Sequence, residues 1–91
     1  MTMATLEDVL SKYRSHPEFL RIDLTRPDQK GAVDDTPLHV AALTGNVPAI
    51  LKLLELGANP GLRNEFLETP LRIAQTGGKS DAIAALIPLS E

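Results

Sequence analysis

The sequence predicts an all-α solenoid of about three stacked helix-turn-helix units, and three observations carry that prediction. The first is a repeat: Thr36-Pro37-Leu38-His39-Val40-Ala41 returns as Thr69-Pro70-Leu71-Arg72-Ile73-Ala74, 33 residues further on. The second is that the copy stays in register, with Gly45 returning as Gly78, Ile50 as Ile83 and Leu53 as Leu86. The third is turn chemistry between the copies, where Ala58-Asn59-Pro60-Gly61 interrupts the apolar pattern. A fixed period of this length marks one supersecondary unit laid on a copy of itself.

Each element follows from its residues. Thr36 and Thr69 are good N-caps, because a hydroxyl accepts a hydrogen bond from an amide of the first helical turn. Pro37 and Pro70 follow at the first helical position, where the missing N–H costs nothing. A short helix then runs to about Leu43 in one copy and Thr76 in the other. Leu38, Ala41 and Ala42 face inward, and the small alanines let neighbouring helices approach closely. Gly45 and Gly78 end these helices in the left-handed conformation. A second helix begins near Val47 and buries Val47, Ile50, Leu53 and Leu54. Its copy is expected to take Ser80 as N-cap and to bury Ile83, Leu86 and Ile87, with Gly57 and Pro88 as the respective stops.

The T-P-L-H-x-A run, its 33-residue period and the paired helices resemble the ankyrin-repeat family, over residues 31–91. The resemblance implies that residues 58–68 project sideways as a β-turn finger. It also implies that His39 holds a finger turn through ring hydrogen bonds. Asp34 and Leu67 stand where the family usually has glycine, two residues before the threonine. A positive φ is unfavourable for leucine, so the tip near Phe66-Leu67 is expected to depart from the family's usual geometry.

Two such units rarely make a stable stack, so the N-terminal segment should supply a third layer. Thr5-x-x-Asp8 reads as a capping box opening a helix with Leu6, Val9, Leu10 and Tyr13 on one face. Ser15-His16-Pro17-Glu18 starts a second short helix through Phe19 and Leu20. Residues 20–25 alternate apolar and polar, as a strand does. The division expected is a single domain over 1–91, with 1–30 as a degenerate capping repeat and start of a finger, 31–63 as the first full repeat and 64–91 as the C-terminal capping repeat. The 21–35 finger is longer than the family norm.

The chain of 91 residues has no cysteine, which excludes disulfides and thiolate metal sites and suits the cytoplasm. No stretch reaches the roughly 18 apolar residues of a membrane span, and residues 1–13 lack a signal-peptide core. The net charge of −3 disfavours nucleic acid as a partner. Residues 31–91 contribute four basic and seven acidic side chains to it, which points to a protein partner with a basic surface.

No catalytic, cofactor-binding or metal-binding residues are expected. His16 and His39 show no triad or metal spacing. Gly77-Gly78-Lys79-Ser80 lacks the upstream glycine of a phosphate loop and follows no strand. Asp34-Asp35 reads as a solvated finger tip. The resemblance instead implies a binding surface of finger tips and inner-helix faces. It places Val33, Asp34 and Asp35 on one finger, Glu65, Phe66, Leu67 and Glu68 on the next, and Leu43, Thr44 and Thr76 on the inner helices. Asp35 and Glu68 should lie side by side. The expected function is a non-catalytic protein-interaction module. A small inhibitor, of the kind of bacterial immunity proteins that neutralise a toxin, is the alternative.

Overall fold

Two short helices followed by their own copies organise the chain. The structure, a computed structural model, describes residues 10, 11, 13, 14, 19, 28–31 and 33–87. The helices that lie wholly within the described residues are α1 (Pro37–Thr44), α2 (Val47–Glu55), α3 (Pro70–Thr76) and α4 (Ser80–Leu86). α1 packs on α3 and α2 on α4, while each helix also packs on its hairpin partner. Inner helices therefore stack on inner helices and outer on outer, which is the all-α solenoid expected. The expected Thr5–Asp8 capping box, the Ser15–Glu18 helix start, the 20–25 strand and the Pro88 stop lie outside the described residues.

The repeat signature does what its chemistry dictates. Thr36 and Thr69 are extended N-caps whose side chains accept hydrogen bonds from the amides of His39 and Arg72. Leu38, Ala41, Ala42 and Ala74 are fully buried, so the inner helices meet through alanine. Gly45 closes α1 at φ 70°, and a Cβ there would lie 3.2 Å from the Lys79 side chain, so both conformation and space call for glycine. Ile50, Leu53, Ala82 and Leu86 form the outer-helix contribution to the core. Leu10, Tyr13 and Phe19 from the N-terminal segment are buried in the same cluster.

Two details differ from expectation. Ser80 is the first residue of α4 rather than its cap. Lys79 stands at the cap, with no side chain able to accept, so the position carries no side-chain cap bond. Asn46, one repeat earlier, does accept from the Ala49 amide. The buried stripe of α4 is also displaced by one residue. Ala82 and Leu86, one helical turn apart, are fully buried. Ile83 and Ile87 each follow one residue later, roughly 100° further round the axis. Ile83 is therefore half-buried and Ile87 is 44% exposed. On α2, Val47 and Leu54 are likewise half-buried at the margin of the Ile50–Leu53 face.

The fingers overturn the expectation of an altered tip. Asp34 has φ 61° and Leu67 φ 62°, both in the left-handed region that glycine favours. The same two backbone bonds close each finger. The Asp34 amide donates to the Gly31 carbonyl and the Leu67 amide to the Asn64 carbonyl. The Gly31 and Asn64 amides in turn donate to the carbonyls of Asp35 and Glu68. A lateral bond of 2.9 Å from the Glu65 amide to the Val33 carbonyl joins the fingers. With so many bonds fixing the turn, the backbone keeps its conformation and the residue at the tip bears the strain. Aspartate tolerates the left-handed region through its short polar side chain, and leucine does not.

Leu67 is 74% exposed, so its side chain gains little from burial to offset that strain. Leu67→Gly is expected to stabilise the protein by about 1 kcal/mol. In a domain of this size that raises Tm by about 4–8 °C, read by thermal unfolding. An unchanged or lowered Tm would show that the tip is unstrained.

Candidate functional site

The stack holds a cleft of about 450 Å³ between the two fingers and the two inner helices, α1 and α3. Val33 and Asp35 of the first finger and Asn64, Phe66 and Glu68 of the second form one side. His39 and Leu43 of α1, Ile73 and Thr76 of α3, and Gly77 form the other.

His39 ties these parts together. Its ring is fully buried. Nδ1 accepts the Thr36 backbone N–H at 3.1 Å and lies 2.9 Å from the Thr36 hydroxyl. Because Nδ1 accepts, the ring is neutral with its proton on Nε2, and that N–H donates to the Glu68 carbonyl at 2.8 Å. One side chain thus caps the start of α1 and reaches across to the second finger. This is the finger-holding role that the resemblance implied. Burial lowers the imidazole pKa. The Glu68 and Leu62 carbonyls and the Asp35 charge act in the opposite direction, and Lys30 adds to the lowering. Arg72, the equivalent residue one repeat on, is exposed, and its backbone amide caps on Thr69.

Asn64 is the second organising residue, and sequence reasoning missed it. It is 5% exposed. Its Oδ1 accepts the Phe66 and Glu68 amides at 2.9 and 3.0 Å. Its Nδ2 donates to Asp35 Oδ1 at 2.9 Å and to Glu68 Oε1 at 3.3 Å. Both acceptor sites and both hydrogens of the amide are used, so the buried group is satisfied. The available signal was its place in a turn-rich segment four residues before Glu68, since asparagine folds back on nearby backbone amides. The bond to Asp35, 29 residues away, had no local signal.

Six of the ten candidate residues meet in the cleft: Val33, Asp35, Leu43, Phe66, Glu68 and Thr76. Asp35 and Glu68 come side by side, as expected, on one amide nitrogen. Phe66 is 66% and Leu43 55% exposed, so apolar surface faces solvent beside the two carboxylates. Asp34, Glu65 and Leu67 lie on the exposed finger tips and do not line the cleft. Thr44 opens instead onto a separate hollow of about 190 Å³ with Gly45, Lys79 and Asp81, and its hydroxyl donates to the Ala41 carbonyl. Ile73 and Gly77 line the cleft without having been singled out. Among the described residues no three histidine, aspartate or glutamate side chains are grouped to hold a metal ion, and no helix is long and apolar enough to cross a membrane.

A family model described as ankyrin repeats (many copies) matches residues 18–74. Curated relatives include Oxysterol-binding protein-related protein 1 of Mus musculus, 43% identical over 53 residues, covering 58% of this chain and 5% of that protein. B-cell lymphoma 3 protein of Homo sapiens is 41% identical over 54 residues, covering 55% of this chain and 11% of that protein. Alpha-latrotoxin-Lhe1a of Latrodectus hesperus is 36% identical over 70 residues, covering 76% of this chain and 5% of that protein. The chain therefore spans a small part of the length of each.

The neutral, buried state of His39 sets a pH dependence. Its folded pKa lies below the unfolded value, so the unfolded chain takes up the proton first as pH falls. The stabilisation is complete above the unfolded pKa of about 6.5 and is lost as pH falls from there through the lowered folded value. Urea unfolding across this window is expected to show stability falling with acidity, and His39→Gln to flatten that fall. An equal slope in the variant would contradict the neutral clamp.

Proposed function

Because this chain belongs to the ankyrin-repeat family, we propose that it is a non-catalytic interaction module that holds a partner protein against its fingers and concave face. Ankyrin repeats are generally protein-interaction modules, and fold alone does not name the partner. The observation that carries the reading is the cleft itself. Exposed Phe66 and Leu43 stand beside the Asp35 and Glu68 carboxylates, giving an apolar anchor next to like charges. Interface energy concentrates at such anchors, and neighbouring charge sets the choice of partner and the speed of encounter. The partner proposed is a protein with a basic surface, met in the cytoplasm. Nucleic acid does not suit a face of this charge. If the partner is an enzyme or toxin, the same face acts as an inhibitor by covering its active site. An assay of the partner's activity in the complex separates holding from inhibition.

The test is a double variant, Phe66→Ala with Glu68→Lys, measured against a partner captured from the native host's lysate. Affinity is expected to fall by about tenfold or more, with the far-ultraviolet circular dichroism of the helices unchanged. The association rate of the unaltered protein should also fall as salt shortens the Debye length below about 10 Å. An unaltered affinity in the double variant would reject the finger face as the binding site.

A further inference from the structure

Asn64 does more than shape its finger: it holds two carboxylates from neighbouring repeats against one nitrogen. The amide gives one hydrogen to Asp35 and the other to Glu68. Neither carboxylate has an ion-pair partner among the described residues. Each keeps oxygen lone pairs beyond the one engaged by Asn64, since a carboxylate offers about four acceptor sites. Two like charges fixed this close favour a cation between them. The wall beside them is apolar, with the exposed ring of Phe66 and the side chains of Val33 and Leu43.

We infer that the cleft receives an arginine side chain from a protein segment, its guanidinium spanning Asp35 and Glu68 and lying against Phe66. The inference rests on the interaction-module reading and specifies what that module recognises. Arginine fits on three counts. Its planar fork presents several N–H groups at once, which matches two carboxylates better than the compact, strongly hydrated ammonium of lysine. A guanidinium is attracted to an aromatic face, and Phe66 is the exposed aromatic ring of the cleft. The aliphatic stem of arginine covers apolar surface while its head remains polar, which suits Val33 and Leu43 on the way in. A volume of about 450 Å³ gives room for one long side chain with its neighbouring backbone.

The experiment uses the full chain labelled with 15N and three blocked peptides: acetyl-Leu-Arg-Leu-amide, its lysine counterpart and its citrulline counterpart. Citrulline keeps the shape of arginine without the charge. The arginine peptide is expected to shift the Asn64 side-chain amide and the Phe66 and Glu68 backbone amides. The citrulline and lysine peptides should bind there more weakly, citrulline by about tenfold. Asp35→Asn should weaken the arginine peptide by a larger factor than the citrulline peptide, because only arginine loses a charge pair. If that variant fails to fold, the three-peptide comparison on the unaltered protein still decides. Equal binding of the arginine and citrulline peptides in the cleft would overturn the inference while leaving the protein-binding reading intact. Equal binding of arginine and lysine would overturn the fork. The absence of cleft shifts with every peptide would overturn the arginine site, and the Phe66–Glu68 double variant would then decide the interaction face separately.

Discussion

A neutral imidazole at full burial is the constraint on which the two repeats depend. His39 accepts at Nδ1 from the backbone of its own repeat and donates from Nε2 to the Glu68 carbonyl of the next. Apolar contact between α1 and α3 gives the stack most of its driving force, but such contact is non-directional and sets no register along the helices. The histidine supplies the register. It fixes where the second finger stands relative to the start of α1, and therefore the width of the cleft between them. A charged ring could not accept the Thr36 N–H, so neutrality and geometry are one requirement.

The fingers extend this logic outward. Asn64 uses its whole hydrogen-bonding capacity on Asp35, Phe66 and Glu68, and the Glu65 amide binds the Val33 carbonyl laterally. Local preference at the tip is overruled as a result, and Leu67 takes a left-handed φ that leucine disfavours. Asp34 meets the same demand one repeat earlier at less cost. The strain and the exposed ring of Phe66 fall on adjacent residues, at the edge of the surface where a partner is proposed to dock.

Much of this was legible in the sequence because it repeats. Thr36-Pro37 and Thr69-Pro70 announce helix starts by local chemistry, and the alanines that follow announce close packing. The finger-holding role of His39 came with the family resemblance. What was missed depends on neighbours that the sequence does not place. Asn64 looks like any turn asparagine until stacking brings Asp35 beside it. The cap of α4 was assigned to Ser80 on its hydroxyl, although alignment with Asn46 puts Lys79 there. Ile87 was assigned inward because apolar spacing alone does not distinguish a face centred on Ile83 from one centred on Ala82. The cleft exists only between repeats, so individual residues such as Leu43 and Thr76 pointed to it while Ile73 and Gly77, which also line it, did not stand out. Thr44 shows the limit from the other side, since one residue beyond Leu43 the helix already faces a different hollow.

The central claim is the cross-repeat bond of His39, and its tautomer reports that bond directly. Nitrogen-15 shifts of the imidazole, measured by long-range correlation at neutral pH, are predicted to show a protonated Nε2 and an unprotonated Nδ1. A through-bond coupling from Nε2 to the Glu68 carbonyl carbon should accompany them. A ring protonated on both nitrogens, or on Nδ1 alone, would contradict the account.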